Sequence, residues 1–110
     1  MNFREYSEFR KSTDLGSTHQ MPTGTYAVMG LAGEAGEVAE KLKKLYRDRS
    51  GQVDQEWRRQ FVNELGDVLW YLDRLAADFG YDLEDVASAN MFKLNGRMER
   101  QTLHGSGDER

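Results

Sequence analysis

Cysteine is absent from the 110 residues, which excludes a disulfide framework, a thiolate metal site and a cysteine nucleophile. That fits a reducing compartment, and a cytoplasmic location is expected. Histidine occurs twice, at His19 and His104, and both fall outside the helical segments. A carboxylate-bridged di-iron site would want Glu-x-x-His motifs on its helices, so that chemistry is set aside. There is no excess of positive charge: the net charge is −4, which argues against a general nucleic-acid binder. No apolar run approaches the length of a membrane span. Met1-Asn2-Phe3-Arg4-Glu5 lacks the apolar core of a signal peptide. The chain is one small domain with a modest core, and association would help it bury apolar surface.

What remains is helix. The first segment runs from Phe3 to Asp14, with Asn2 as its cap and Phe3, Tyr6 and Phe9 on one side. A loop from Leu15 to Gly24 holds the single proline, Pro22. The second helix is expected over Thr25–Arg47, followed by a polar turn around Ser50-Gly51. The third covers Glu56–Phe79, and Gly80 stops it. Asp82 and Asp85 form a capping arrangement for a fourth helix that ends near Arg100. The fold class is therefore all-α: a four-helix bundle-like domain over residues 1–100, completed by homo-oligomerisation, with a polar tail over 101–110. A homodimer or homotetramer is expected, with Phe3, Tyr6, Phe9, Met29 and Phe92 as apolar surface for the partner.

Two acidic pairs carry the chemistry: Glu34-x-x-Glu37 and Glu64-x-x-Asp67. Residues three apart share a helix face. The stretch between the pairs is long enough to end one helix, turn and return beside it. On the second helix Ala27, Leu31, Val38, Leu42 and Leu45 make an apolar stripe; Glu34 lies inside it and Glu37 on its border. On the third, Trp57, Phe61, Val68, Leu72, Leu75 and Phe79 make the stripe; Glu64 falls within it and Asp67 beside it. A carboxylate facing a core needs a partner, because burying an unpaired charge is costly. Four converging carboxylates are tolerable around a divalent cation, and hard oxygen ligands favour Mg²⁺, or Mn²⁺ in its place. The plainer reading is boundary residues with salt bridges, such as Glu37 with Lys41 one turn on. Gly30, Gly33, Gly36 and Gly66, each unfavourable in a helix, mark close approach of a second helix or of a ligand.

The stretches Gly33-Glu34-Ala35-Gly36-Glu37-Val38-Ala39-Glu40, Glu64-Leu65-Gly66-Asp67-Val68-Leu69-Trp70-Tyr71-Leu72 and Asn90-x-x-Lys93-Leu94-x-x-x-Arg97 resemble the MazG-type all-α nucleoside triphosphate pyrophosphohydrolases. The resemblance covers roughly residues 20 to 100. It implies cleavage of a nucleoside triphosphate between the α and β phosphates, giving the monophosphate and pyrophosphate. Carried over by position, it implies Glu34, Glu37, Glu64 and Asp67 as Mg²⁺ ligands and catalytic residues, and Tyr71, Asn90, Lys93 and Arg97 as substrate contacts. Thr102-Leu103-His104-Gly105-Ser106-Gly107-Asp108 resembles the tail of short stand-alone relatives.

Several residues stay open between two roles. Tyr71 either stacks on a base or packs in the core. Lys93 and Arg97 either contact phosphate or form a solvated basic helix end. Asn90 falls in the arc of Leu83, Ala87 and Leu94 and so should have a hydrogen-bonding task. His19 and Tyr26 are placed to close over a base, and His104 is a tail residue of no assigned role. Trp57 and Trp70 are read as core or subunit contacts. The rival of a different class is a non-catalytic helical interaction module.

Overall fold

The computed structural model describes residues 1–16 and 20–110. Four helices make it up: α1 (Phe3–Thr13), α2 (Thr25–Arg49), α3 (Gln55–Asp78) and α4 (Leu83–Glu99). The expected boundaries hold to within two residues. Each is set by a local device. The Asn2 side chain accepts the Glu5 amide at 2.9 Å and opens α1. Asp54 does the same for Trp57 at 2.8 Å and opens α3. Asp82 and Asp85 cap α4 reciprocally, each side chain accepting the other's amide. Gly80 ends α3 at φ +85°, where the Tyr81 amide reaches back to Ala76 and the Gly80 amide to Ala77, satisfying carbonyls the helix leaves unpaired.

Helices α2 and α3 form the body, an antiparallel hairpin packed along its length. Gly24 faces Phe79, Gly30 faces Tyr71 and Lys41 reaches Gln60, so each step forward on α2 meets a step back on α3. Both stripes face inward. Ala27, Leu45 and Trp57 are buried, and Trp57 stacks on Phe61 with ring centroids 4.8 Å apart. Two stripe members sit further out than expected: Leu42 and Phe79 are exposed, at the flank and the end of the hairpin.

Helices α1 and α4 each lean on α3 without enclosing it. The radius of gyration is 17.0 Å, whereas a compact chain of this length has about 13 Å. Of the residues expected to face a partner, Phe3, Phe9, Met29 and Phe92 stand in solvent in the single chain, whereas Tyr6 is half-buried. Among the described residues no helix is long and apolar enough to cross a membrane.

Candidate metal and nucleotide site

The hairpin register that joins Gly30 to Tyr71 also sets Glu34 across from Asp67, and Glu37 across from Glu64. Carboxylate oxygens of Glu34, Glu64 and Asp67 all lie within 4.8 Å of one another. Opposing oxygens around an octahedral Mg²⁺ at about 2.1 Å are about 4.2 Å apart, so the set is of the right size as well as the right chemistry. Glu37, exposed as Asp67 is, stays outside this group, one turn further along α2. Among the described residues no lysine or arginine pairs with Glu34, Glu37, Glu64 or Asp67. Lys41, which the salt-bridge reading offered as a partner for Glu37, donates to Gln60 Oε1 at 2.8 Å instead. Partial burial pushes the Glu34 carboxyl above its ordinary range, and the charges of Asp67, Glu64 and Glu37 push it further. A divalent cation is the group that would reverse that penalty.

Beside the carboxylates lies an open cavity of about 460 Å³. Its walls are Tyr26, Glu34, Asp67, Trp70 and Tyr71 from the hairpin, and Thr13, Asp14, Leu15 and Gly16 from the end of α1. Tyr71 is held on three sides. Trp70 meets it edge-on at 4.9 Å and Tyr26 is tilted to it at 6.0 Å. Beneath it, a Cβ on Gly30 would come within 2.1 Å of the Tyr71 ring. That accounts for Gly30, one of the four unfavourable glycines; Gly33, Gly36 and Gly66 face open space. A hydrogen bond with Tyr26, and burial after it, hold the Tyr71 hydroxyl above the usual phenol range, so the Tyr71 ring is neutral at pH 7. Trp70, read as a core or subunit contact, is half-buried in the cavity wall of the single chain, its indole N–H donating to Thr13 Oγ1 at 2.8 Å.

A family model for the MazG nucleotide pyrophosphohydrolase domain matches residues 23–101. The chain belongs to the MazG family. Gene 37 protein of Mycobacterium phage L5 is 46% identical over 86 residues, covering 78% of this chain and 75% of that protein. The uncharacterised protein YvdC of Bacillus subtilis (strain 168) is 35% identical over 74 residues, covering 63% and 70%. No solved structure gives a significant match. The MazG assignment places the chemistry in nucleotide pyrophosphohydrolysis, and the carboxylate triad provides a place for a divalent metal.

The MazG residues expected on α4 are not at this cleft within one chain. Asn90 is exposed, not enclosed among Leu83, Ala87 and Leu94, because α4 touches α3 on one side and leaves its other faces in solvent. Asn90 and Lys93 line a separate cavity with Tyr81, Asp85, Val86 and Ala89. Arg97 is buried and turned to the tail, where it donates to the Gly107 and Asp108 carbonyls and to the Asp108 carboxylate. Lys93 reaches the same carboxylate at 3.2 Å. His19 lies outside the described residues. His104 is exposed in the tail.

One cluster escaped sequence reasoning. Asp73 is 2% exposed, and it accepts hydrogen bonds from Ser7 Oγ at 2.6 Å and Arg10 Nε at 2.7 Å. Nothing in its immediate neighbours marks it, since both partners come from α1, more than sixty positions away. The one available signal was an aspartate one turn after Leu69, on the side of α3 that the apolar stripe leaves free.

Proposed function

We propose that this chain hydrolyses a nucleoside or deoxynucleoside triphosphate to the monophosphate and pyrophosphate, with Mg²⁺ as its metal and Mn²⁺ as a substitute. The observation that carries the reading is the meeting of Glu34, Glu64 and Asp67 from two helices with no cation among the described residues to neutralise them. Those three would hold the metal, and Glu37, across from Glu64, completes the acidic rim. A divalent ion held there would neutralise phosphate oxygens and lower the pKa of a water bound to it. The carboxylates would accept hydrogen bonds from a water beside them and turn it toward the phosphorus. Tyr26, Trp70 and Tyr71 offer aromatic surface for the base, which every base can use. His19, which precedes Tyr26 in the sequence, is a further substrate contact under this reading.

Asn90, Lys93 and Arg97 are substrate contacts under this reading, with the two cations on phosphate. They reach a cleft when a second copy brings its α4 across. The open shape, the small core and the exposed Phe9, Met29 and Phe92 support a homodimer or homotetramer. Membrane and nucleic acid have no place in it, and the protein works in the cytoplasm.

The test is pyrophosphate release across a panel of canonical and damaged nucleoside triphosphates with Mg²⁺. Turnover should vanish with a chelator. It should fall by about 10²–10³ in Glu64→Gln or Asp67→Asn, the size of loss typical of removing one fixed electrostatic contact in a transition state. No turnover of any member, with metal present and the protein folded, would sink the reading and leave the helical interaction module.

A further inference from the structure

The end of α1 stands against the cleft, yet α1 has little apolar reason to be there. Phe3 and Phe9, two of its three aromatic residues, are exposed. A polar anchor holds it instead. Asp73 of α3 takes Ser7 and Arg10, and Arg10 is itself only 3% exposed. Arg10 then passes the constraint on. It donates to Asp14 at 3.1 Å, and its guanidinium lies 5.9 Å from the centre of the Trp70 ring. Arg74 grips Asp14 from the α3 side. Trp70 closes the chain of contacts on Thr13. Every link ends at a residue that walls the cavity: Thr13, Asp14 or Trp70.

A buried ion pair is a poor device for stability alone, because desolvation offsets most of its attraction. What it fixes well is geometry. Aromatic rings accept any base, so they do not discriminate. Polar groups held in place can discriminate, and the facing wall offers two, the Thr13 hydroxyl, which donates to the Arg10 carbonyl, and the Asp14 carboxylate. We infer that Asp73 is a positioning residue: acting through Arg10 and Ser7, it sets the end of α1 as the wall that selects the base, without touching nucleotide or metal. This rests on the cleft being the nucleotide site.

Asp73→Asn keeps the shape and removes the charge; Ser7→Ala removes one bond; Thr13→Val alters the wall itself. For each, kcat and KM are measured over the nucleotide panel, together with Mn²⁺ binding by electron paramagnetic resonance, circular dichroism and hydrogen exchange of the Trp70 indole N–H. In folded Asp73→Asn, KM for the preferred triphosphate should rise about tenfold with kcat within about twofold, the pattern of lost substrate positioning. The preference between bases should flatten, Thr13→Val should flatten it likewise, indole exchange should quicken, and Mn²⁺ affinity should stay unchanged. Unchanged preference in folded Asp73→Asn, or a joint fall of kcat and Mn²⁺ affinity, overturns the inference. If Asp73→Asn does not fold, Ser7→Ala carries the same comparison. If the wild type hydrolyses no triphosphate, the functional reading fails by itself, and unchanged indole exchange in Asp73→Asn would separately dismiss the positioning role.

Discussion

Helix α3 carries two carboxylate clusters less than two turns apart, and they are built in opposite ways. At Asp73 both oxygens are taken, one by Ser7 and one by Arg10, and water is shut out. At Asp67, with Glu64 on its own helix and Glu34 across the hairpin, like charges meet and no cation among the described residues answers them. Tyr6 of α1 lies close enough to both aspartates for burial, Asp73 and Asp67 together to raise its hydroxyl pKa. The difference separates a finished joint from a place made for something to bind. Residue type does not distinguish them; the neighbours from other helices do.

The largest effect should come from removing each carboxylate in turn. Asp73→Ala strands a buried Arg10, and breaking a buried pair in this way costs about 3–5 kcal/mol. Glu64→Gln should be neutral or slightly stabilising in metal-free buffer, since it relieves repulsion on Glu34. Urea unfolding with chelator compares the two directly. Adding Mg²⁺ should then stabilise the wild type, as any ligand of the folded state does, and should do little for Glu64→Gln. A Glu64→Gln protein as damaged as Asp73→Ala would show that the acidic cleft is a structural joint after all.

Much of this was legible in the chain. The helices and most of their ends follow from short-range rules, and Asn2, Gly80 and Asp82 sit where those rules put them. The acidic triad was legible too, because i, i+3 spacing and the apolar stripe fix which way a helical side chain faces. What escaped depended on tertiary partners. Lys41 lies one turn from Glu37 but finds Gln60 across the hairpin. Arg97 is on the face of Asn90 and Lys93 but is captured by the tail. Asp73 reads as one more polar residue until α1 folds over it. Trp70 reads as a core or subunit contact, and only the packing of α1 on α3 shows its indole bonded to Thr13 at the cavity edge.

A middle-sized effect contrasts two glycines of α2. Gly30 lies under the Tyr71 ring, while nothing stands within 4 Å of a Cβ at Gly33. Alanine gains about 1 kcal/mol over glycine in a helix interior, but overpacking costs about 1–3 kcal/mol. Gly30→Ala should therefore be destabilised by about 1 kcal/mol, with Tyr71 displaced into the cavity and KM raised. Gly33→Ala in a monomeric sample should be stabilised by about 1 kcal/mol. Thermal unfolding of both proteins checks the sign, and equal responses would mean that Tyr71 is not packed on Gly30.

Glu56 supplies the smallest effect and sits between the extremes: paired as Asp73 is, yet in water. A hydrogen bond from Arg59, and after it one from Gln60, lower its carboxyl from 4.5 to about 2. A lowered folded pKa means that the unfolded chain takes up protons first, so stability is full above pH 4.5 and drains as pH falls toward 2. The amount is small, because exposed pairs are weak. Glu56→Gln should flatten the midpoint-against-pH curve below pH 4.5 and leave it unchanged at neutrality. Nuclear magnetic resonance titration of the Glu56 carboxyl should find its midpoint near 2. A midpoint at the ordinary glutamate value would show that a partner in water holds nothing, and that exclusion of solvent, as at Asp73, is what turns a carboxylate pair into a joint.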